Sequence, residues 1–193
     1  MSTEISKAQD AVSAGLIARP SHTEKVGAGG VFTATCVGAD GQVKWTEEFH
    51  NLVVNQGLQD MNSKYFQASG YTPVWYLGLV SGATSPTYAA GNTLASHSGW
   101  TELVPGTAYT GNRQTVTFGT ATTADPSVIS NSASPSVFPM LVNSTVVAGA
   151  FLCTAATGTS GILFSAGSFT GGNKSVDAGD TLNVTYTFSL DAA

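Results

Sequence analysis

The C-terminal segment of the chain constrains the fold more than any other stretch. From Thr181 to Leu190, every second residue is apolar, and threonine, asparagine or serine stands between the apolar positions. Neighbouring side chains of a strand point to opposite faces, so a period of two predicts a strand with one face in a core. The segment therefore requires a sheet with a covered face.

The rest of the chain favours strands and turns over solvated helices. Charged residues make up 10% of the 193 positions and hydrophobic residues 42%, whereas soluble domains carry about 25% charged residues. Glycine occupies 22 positions, and glycine together with threonine, valine and aromatic residues is typical of short strands joined by turns. We expect a mainly β protein: an antiparallel β-sandwich, of jelly-roll or immunoglobulin-like type, with one packed α-helix and an extended N-terminal arm.

Turn signals and apolar runs divide the sandwich into short strands. Asp40-Gly41 supplies the positive φ of a two-residue turn, so residues 31–37 and 43–49 are predicted to form a β-hairpin. Continuous apolar runs at 74–80 and 146–153 predict strands that are buried on both faces. Eight to ten strands are expected in all, with weaker patterns at 114–118, 136–142 and 161–165.

One helix is expected after the hairpin, over residues 51–65, and a long loop over residues 81–105. Asn51 is the expected N-cap of the helix, because its side chain can accept a hydrogen bond from a free backbone N–H of the first turn. Apolar residues recur at spacings of four, three and four, which places them on one helical face. The residues of that face are Val54, Leu58, Met61 and Tyr65.

The first 30 residues are predicted to form an N-terminal arm, and residues 31–193 the sandwich domain. Gly27 to Gly30 is expected to be a flexible hinge between them. The arm is too polar to build a core, so it either stays disordered or orders on a partner. Pro20 biases the residue before it to an extended backbone. The candidate partner-binding residues of the arm are Ile5, Val12, Leu16, Ile17, Arg19 and Pro20.

Net charge, the N-terminus and the thiols limit the classes of partner. The formal net charge is −5, which argues against direct nucleic-acid binding because phosphate contacts need clustered Lys and Arg. No secretory signal or membrane-spanning run is recognised, so we expect synthesis in the cytoplasm and no membrane partner. Cys36 and Cys153 are then expected to be buried free thiols, with a disulfide between them as the alternative.

Residues that could carry chemistry are sparse. There is no Gly-x-Ser-x-Gly elbow, phosphate loop or dinucleotide fingerprint, and no carboxylate pair suited to glycoside hydrolysis. Asp177 and Asp180 flank a turn but are too few to supply a calcium site by themselves. The sequence thus predicts no catalytic residue, no metal and no cofactor. A candidate ligand-binding or inter-subunit loop carries His97, Trp100 and Glu102, and a structural role is the favoured interpretation of these residues.

Several motifs resemble those of small virion structural proteins of tailed bacteriophages. They include Trp75-Tyr76-Leu77-Gly78-Leu79, the run from Ala90 to Glu102, and Ala178-Gly179-Asp180-Thr181-Leu182. The resemblance covers most of residues 31–190 and excludes the arm. It implies a place in a virion, and its members divide between capsid decoration proteins and tail or fibre proteins. It brings no catalytic residues with it.

Two functions are expected on this basis. The first is a capsid decoration or cement protein at the virion surface, whose partners are the major capsid protein and copies of itself, expected as a trimer. Its arm would lie on neighbouring subunits and spread affinity over many shallow contacts. The alternative is a tail-associated or fibre module that binds a host surface glycan, and a polysaccharide-cleaving enzyme is a third, less supported option. The glycan alternative would use Trp75, Tyr76, Trp100 and Tyr109 as exposed stacking platforms, whereas the competing role of these rings is packing.

Overall fold

The computed structural model describes residues 26–67, 70 and 74–192. Within them the chain forms eleven strands and one helix, arranged as two packed antiparallel sheets, so the predicted β-sandwich is confirmed. The count exceeds the expected range by one strand. In chain order the elements are β1 (Val26–Val37), β2 (Val43–His50), β3 (Leu52–Val53), α1 (Asn55–Phe66), β4 (Trp75–Ser81), β5 (Gln114–Val116), β6 (Ser127–Ser130), β7 (Ser136–Pro139), β8 (Thr145–Cys153), β9 (Leu163–Ser168), β10 (Lys174–Val176) and β11 (Thr181–Ala192).

The first sheet has the order β2-β1-β11-β6, and β7 also pairs with β11. Strands β1 and β11 pair along their whole lengths, from Val26 opposite Ala192 to Val37 opposite Thr181. The predicted hairpin is confirmed, since β1 pairs with β2 and Gly41 turns the chain with a φ of 79°. The C-terminal alternation is also confirmed, because the apolar residues of β11 from Leu182 to Tyr186 are fully buried.

The second sheet has the order β3-β9-β8-β4-β5, with β10 paired to β8. Its central strands β4 and β8 are buried on both faces, as their continuous apolar runs predicted. Leu77 and Leu152 face the first sheet in the main core. Val80 and Phe151 face the other way, into a second core that residues of the long loop before β5 complete. We call this loop, residues 82–113, the cover loop.

The glycine-rich stretch before residue 31 is part of β1, so the hinge prediction is wrong. Gly27 pairs with Asp191 and Gly30 with Phe188, in the same register as the rest of the strand. Glycine is needed at position 30 for a packing reason: a Cβ there would overlap the side chain of Tyr186. Glycine is thus needed at this position because a side chain would not fit against Tyr186, and not because the segment bends as a hinge.

The helix begins at Asn55 instead of Asn51. Its predicted apolar face is confirmed for Val54, which is buried, and for Met61, which packs against the main core, but is wrong for Leu58 and Tyr65, which are exposed. Leu52 and Val53 pair with β9 as a short strand, and the Asn51 side chain donates to the Tyr186 hydroxyl at 3.0 Å instead of capping the helix. The position of α1 is set by Gly57, where a Cβ would come within 2.6 Å of the Phe164 backbone oxygen. At the other end of the helix, Tyr65 is 83% exposed.

Candidate functional site

Two residues of the predicted loop site, His97 and Trp100, pack against each other in the cover loop. Trp100 is 2% exposed and packs on the Phe151 ring at 5.0 Å, so it closes the second core. The imidazole of His97 stacks on the Trp100 ring, with centroids 3.8 Å apart, and its Nδ1 lies 3.1 Å from the Trp100 backbone oxygen. The indole Nε1 of Trp100 donates to Asn92 Oδ1 at 3.3 Å. His97 and Trp100 therefore pack against each other within the loop, and their role in a ligand-binding or inter-subunit loop stays a prediction.

Glu102, the third residue of that set, is held by an arginine that the sequence did not single out. Arg113 donates to both carboxylate oxygens, from Nε at 2.8 Å and from Nη2 at 2.7 Å, and its Nη1 donates to the Ala155 oxygen at 2.9 Å. Burial is the largest single influence and by itself would lower the pKa of Arg113, but the hydrogen bond and the charge of Glu102, together with Cys153 and Tyr109, raise it overall. A hollow of about 320 Å³ opens beside the pair. Each charge is matched by the other in a two-point hydrogen-bonded ion pair.

A second polar cluster joins Asp180 to Lys44 on the hairpin. Lys44 Nζ donates to Asp180 Oδ2 at 2.7 Å and lies 3.4 Å from Asp177 Oδ2. Burial by itself would raise the pKa of Asp180, but the bonds from Lys44 and from the backbone N–H of Asp177 lower it. The ammonium group stands where a cation would have to bind between the two carboxylates. Among the described residues there is no group of three His, Cys, Asp or Glu side chains that could hold a metal ion.

Residues 90–94 and 178–182 share the pattern Ala-Gly-(Asn or Asp)-Thr-Leu, and both segments form a turn with the same hydrogen bonds. The Asn92 side chain accepts from the Ala89 N–H at 3.1 Å, and the Asp180 side chain accepts from the Asp177 N–H at 2.9 Å. Each residue also donates its own backbone N–H to the residue three positions earlier. Gly179 has a positive φ of 90°, whereas Gly91 does not adopt a positive φ. Both turns present a side-chain oxygen that a distant residue then binds, Trp100 in one case and Lys44 in the other.

Both cysteines are buried free thiols, which confirms the favoured expectation over a disulfide. Burial is the main cause that raises the pKa of Cys36 to about 11, and the neighbouring Asp180 carboxylate adds to it. Burial also raises the pKa of Cys153. Because the thiolate is the nucleophilic form, neither residue is suited to covalent catalysis at neutral pH.

The four aromatic residues considered as glycan platforms differ in accessibility. Trp100 and Tyr109 are buried, the latter completely. Trp75 and Tyr76 are half-buried, and the Trp75 ring packs edge-on against Phe164 at 5.3 Å. Trp100 and Tyr109 therefore serve in packing, the role that was weighed against glycan binding. The described structure offers no row of exposed rings among these four.

An apolar surface patch, which the sequence did not predict, lies where the cover loop meets the start of β8. Val104 is 60% exposed, Val142 46% and Val146 38%. These three side chains line a hollow of about 360 Å³ with Thr107 and Ala108, and no charged residue lines it. We call Val104, Val142 and Val146 the valine patch. Apolar surface grouped in this way marks a site of contact with another macromolecule more often than scattered apolar residues do.

The arm residues named from the sequence, Ile5 to Pro20, lie outside the described residues, so their predicted role stays a prediction. Among residues 26–67, 70 and 74–192, no helix is long and apolar enough to cross a membrane. Comparison of the chain with protein-family models, with curated proteins and with solved structures returned no match.

Proposed function

We propose that the chain is a non-enzymatic virion structural protein, a capsid decoration or cement protein that binds the outer shell of a bacteriophage particle and stabilises it. The observation that carries the proposal is the valine patch. A decoration protein needs a rigid body with an apolar contact face, and the patch supplies such a face on a two-sheet sandwich. The motif resemblance favours the same class of protein.

The surface around the patch suits close packing against a shell. Burying a charged group in an interface is costly unless it is paired, and interface centres are poor in charged residues. The hollow at the patch is lined by apolar, threonine and serine side chains together with Ala83 and Ala108. A partner that covers it therefore removes apolar area from water without desolvating a charge.

The state of the candidate reactive groups supports a non-enzymatic role. His97 is stacked on Trp100, and Glu102 is paired with Arg113. Both thiols are buried, and burial raises their pKa. General acid–base and nucleophilic catalysis need such groups to be free within reach of a substrate. The same packing weakens the glycan-binding alternative, since Trp100 and Tyr109 are not open to a sugar.

The test is particle stability, measured on phage particles produced with and without the gene for this chain. We expect particles that lack the protein to release DNA at a lower temperature, and added purified protein to restore the wild-type value. A Val142→Asp variant should bind the shell at least tenfold more weakly, because a carboxylate would have to be buried in place of an apolar side chain.

The matched control for this test is Leu58→Asp. Leu58 is 42% exposed, close to the 46% of Val142, but it lies on α1 and does not line the patch. This variant should restore particle stability like the wild-type chain. Unchanged melting of particles that lack the protein would refute the proposed function. Equal binding by the two variants would remove the valine patch as the contact face.

A further inference from the structure

A second apolar region lies between the C-terminal half of α1 and the paired ends of β1 and β11. It is a groove of about 590 Å³ whose main apolar walls are Met61, Tyr65 and Phe66 on one side and Val26 and Leu190 on the other. We call it the terminal groove. It lies away from the valine patch, and the two share no lining residue.

The walls of the terminal groove are unusually open for large apolar side chains. Tyr65 is 83% exposed, Phe66 77% and Val26 75%. The Tyr65 and Phe66 rings pack edge to face at 4.9 Å, so they present one continuous surface. Covering a side chain of this size removes apolar area from water and so favours association. A partner that fills the groove therefore gains several such contributions.

The groove adjoins a recess that leads between the two sheets. Met61 lines both, and Phe188, one step along the same face of β11 from Leu190, lines the recess. The recess has a volume of about 190 Å³, and its other walls are apolar or aromatic, among them Trp75 and Phe164. An apolar cavity of about 150 Å³ holds a molecule of benzene. The recess is therefore large enough to receive one leucine or isoleucine side chain.

The chain itself carries suitable side chains close to this groove. Val26 is the first described residue and forms part of the groove wall, so the 25 residues before it begin at the rim. The apolar residues nearest to Val26 in that segment, apart from alanine and proline, are Leu16 and Ile17. Ile17 stands nine positions before Val26, which corresponds to a reach of about 30 Å when the backbone is extended.

We propose that the terminal groove receives Leu16 and Ile17 from a second copy of the chain. The intervening residues 18–25 are mostly polar, and Pro20 disfavours helical backbone at Arg19, so the link is long enough for Leu16 and Ile17 to reach a neighbouring copy. The contact is head-to-tail: arm on one copy, groove on the next. Such contacts close into a ring when the rotation between copies permits it. The inference deepens the proposed function in one respect, because it names what the arm binds.

The test is disulfide formation between two singly substituted chains. Ile17→Cys and Phe66→Cys are co-expressed, one of them with an affinity tag, so that a mixed disulfide can form only between copies. The native thiols are buried and do not compete. The matched control replaces Phe66→Cys with Val43→Cys, because Val43 is 62% exposed but pairs with Val37 at the opposite end of β1 from Val26. We expect at least tenfold more mixed disulfide with Phe66→Cys than with Val43→Cys.

Two further variants show whether the apolar contact is what brings the cysteines together. Leu16→Asp added to the Ile17→Cys chain should lower the yield of mixed disulfide at least fivefold, whereas Ser13→Asp in the same chain should leave it unchanged. Equal yields for the Phe66 and Val43 pairs would overturn the proposal. A chain carrying both Ile17→Cys and Phe66→Cys that closes only within itself would overturn it too, because the occupant would then be its own arm. The assay uses purified protein without shells, so its outcome is independent of the particle-stability test.

Discussion

The guanidinium of Arg113 holds Glu102 in a two-point ion pair, with donor–acceptor distances of 2.8 and 2.7 Å, at the junction between the cover loop and the second sheet. The Arg113 side chain is 4% exposed and Glu102 18%. The arginine also lies over the Phe151 ring, with Cζ 5.3 Å from the centroid. This pair ties the end of the cover loop to the core that the loop covers.

Removing the carboxylate of this pair should destabilise the protein strongly. Glu102→Ala leaves the Arg113 charge buried with a backbone oxygen as its remaining partner, and uncompensated buried charges of this kind cost about 3–5 kcal/mol. The measurement is urea unfolding at pH 7. Glu48→Ala is the control, since Glu48 is exposed on β2 and should change stability by less than about 0.5 kcal/mol. A loss below about 1 kcal/mol for Glu102→Ala would show that the pair contributes little.

Acid should remove the stabilisation contributed by Asp180. The pKa of Asp180 is lowered in the folded protein, so its contribution is present above the unfolded value of about 3.9 and is lost as the pH falls through the folded value. Asp180→Asn should therefore cost about 1–3 kcal/mol at pH 7, and the difference from wild type should shrink as the pH is lowered from about 5 towards 2.

Unfolding curves across that pH range check this expectation. Asp177→Asn is the matched control, because Asp177 lies 3.4 Å from the same ammonium but its side chain is 51% exposed. Exposed ion pairs contribute about 0–1 kcal/mol, so this variant should show the smaller effect at pH 7. A gap between Asp180→Asn and wild type that stays constant with pH would contradict the assigned role.

Gly149 should not tolerate a side chain. It lies in β8 opposite Ser168 of β9, and a Cβ there would overlap the backbone oxygen of Gly167, which cannot move without breaking the sheet. Gly149→Ala should therefore cost about 3 kcal/mol or more, measured as a lower urea midpoint or as loss of soluble protein. Gly91→Ala, whose Cβ would meet nothing within 4 Å, should stay within about 0.5 kcal/mol of wild type. Wild-type stability of Gly149→Ala would refute the close packing of β8 on β9.

Two buried tyrosines should respond oppositely to loss of the hydroxyl. Tyr109 Oη has no hydrogen-bond partner among the described residues, whereas the Tyr186 hydroxyl accepts from Asn51 at 3.0 Å and lies 3.4 Å from Ser165 Oγ. Tyr109→Phe should thus be neutral or stabilising, and Tyr186→Phe should cost about 1–2 kcal/mol. Thermal and urea unfolding of both variants check the pair. A larger loss for Tyr109→Phe than for Tyr186→Phe would reverse the assignment.

Local pattern sufficed to predict much of the fold. The alternation of β11, the Asp40-Gly41 turn and the apolar runs of β4 and β8 each reflect a local rule, and each matches the structure. The errors arise where a residue distant in sequence determines the local structure. Gly30 looked flexible but is required by Tyr186, and Asn51 looked like a cap but binds the same tyrosine.

The candidate site was predictable only in part for a similar reason. His97, Trp100 and Glu102 are close in sequence and were grouped correctly as one loop, but the partner of Glu102 is Arg113, which follows eleven positions later. The valine patch could not be predicted, because Val104 is distant in sequence from Val142 and Val146. Valine in a β-rich sequence is as consistent with burial as with exposure.

The cover loop has a practical consequence for engineering this protein. A long connection without regular strands would ordinarily be chosen for displaying a foreign peptide, but this one supplies Leu94 and Trp100 to the second core. An insertion there would disrupt the packing of the cover loop on the second sheet. The Asp40-Gly41 turn and the exposed bend at Gly158 contribute nothing to either core, so they are the better places to graft an epitope.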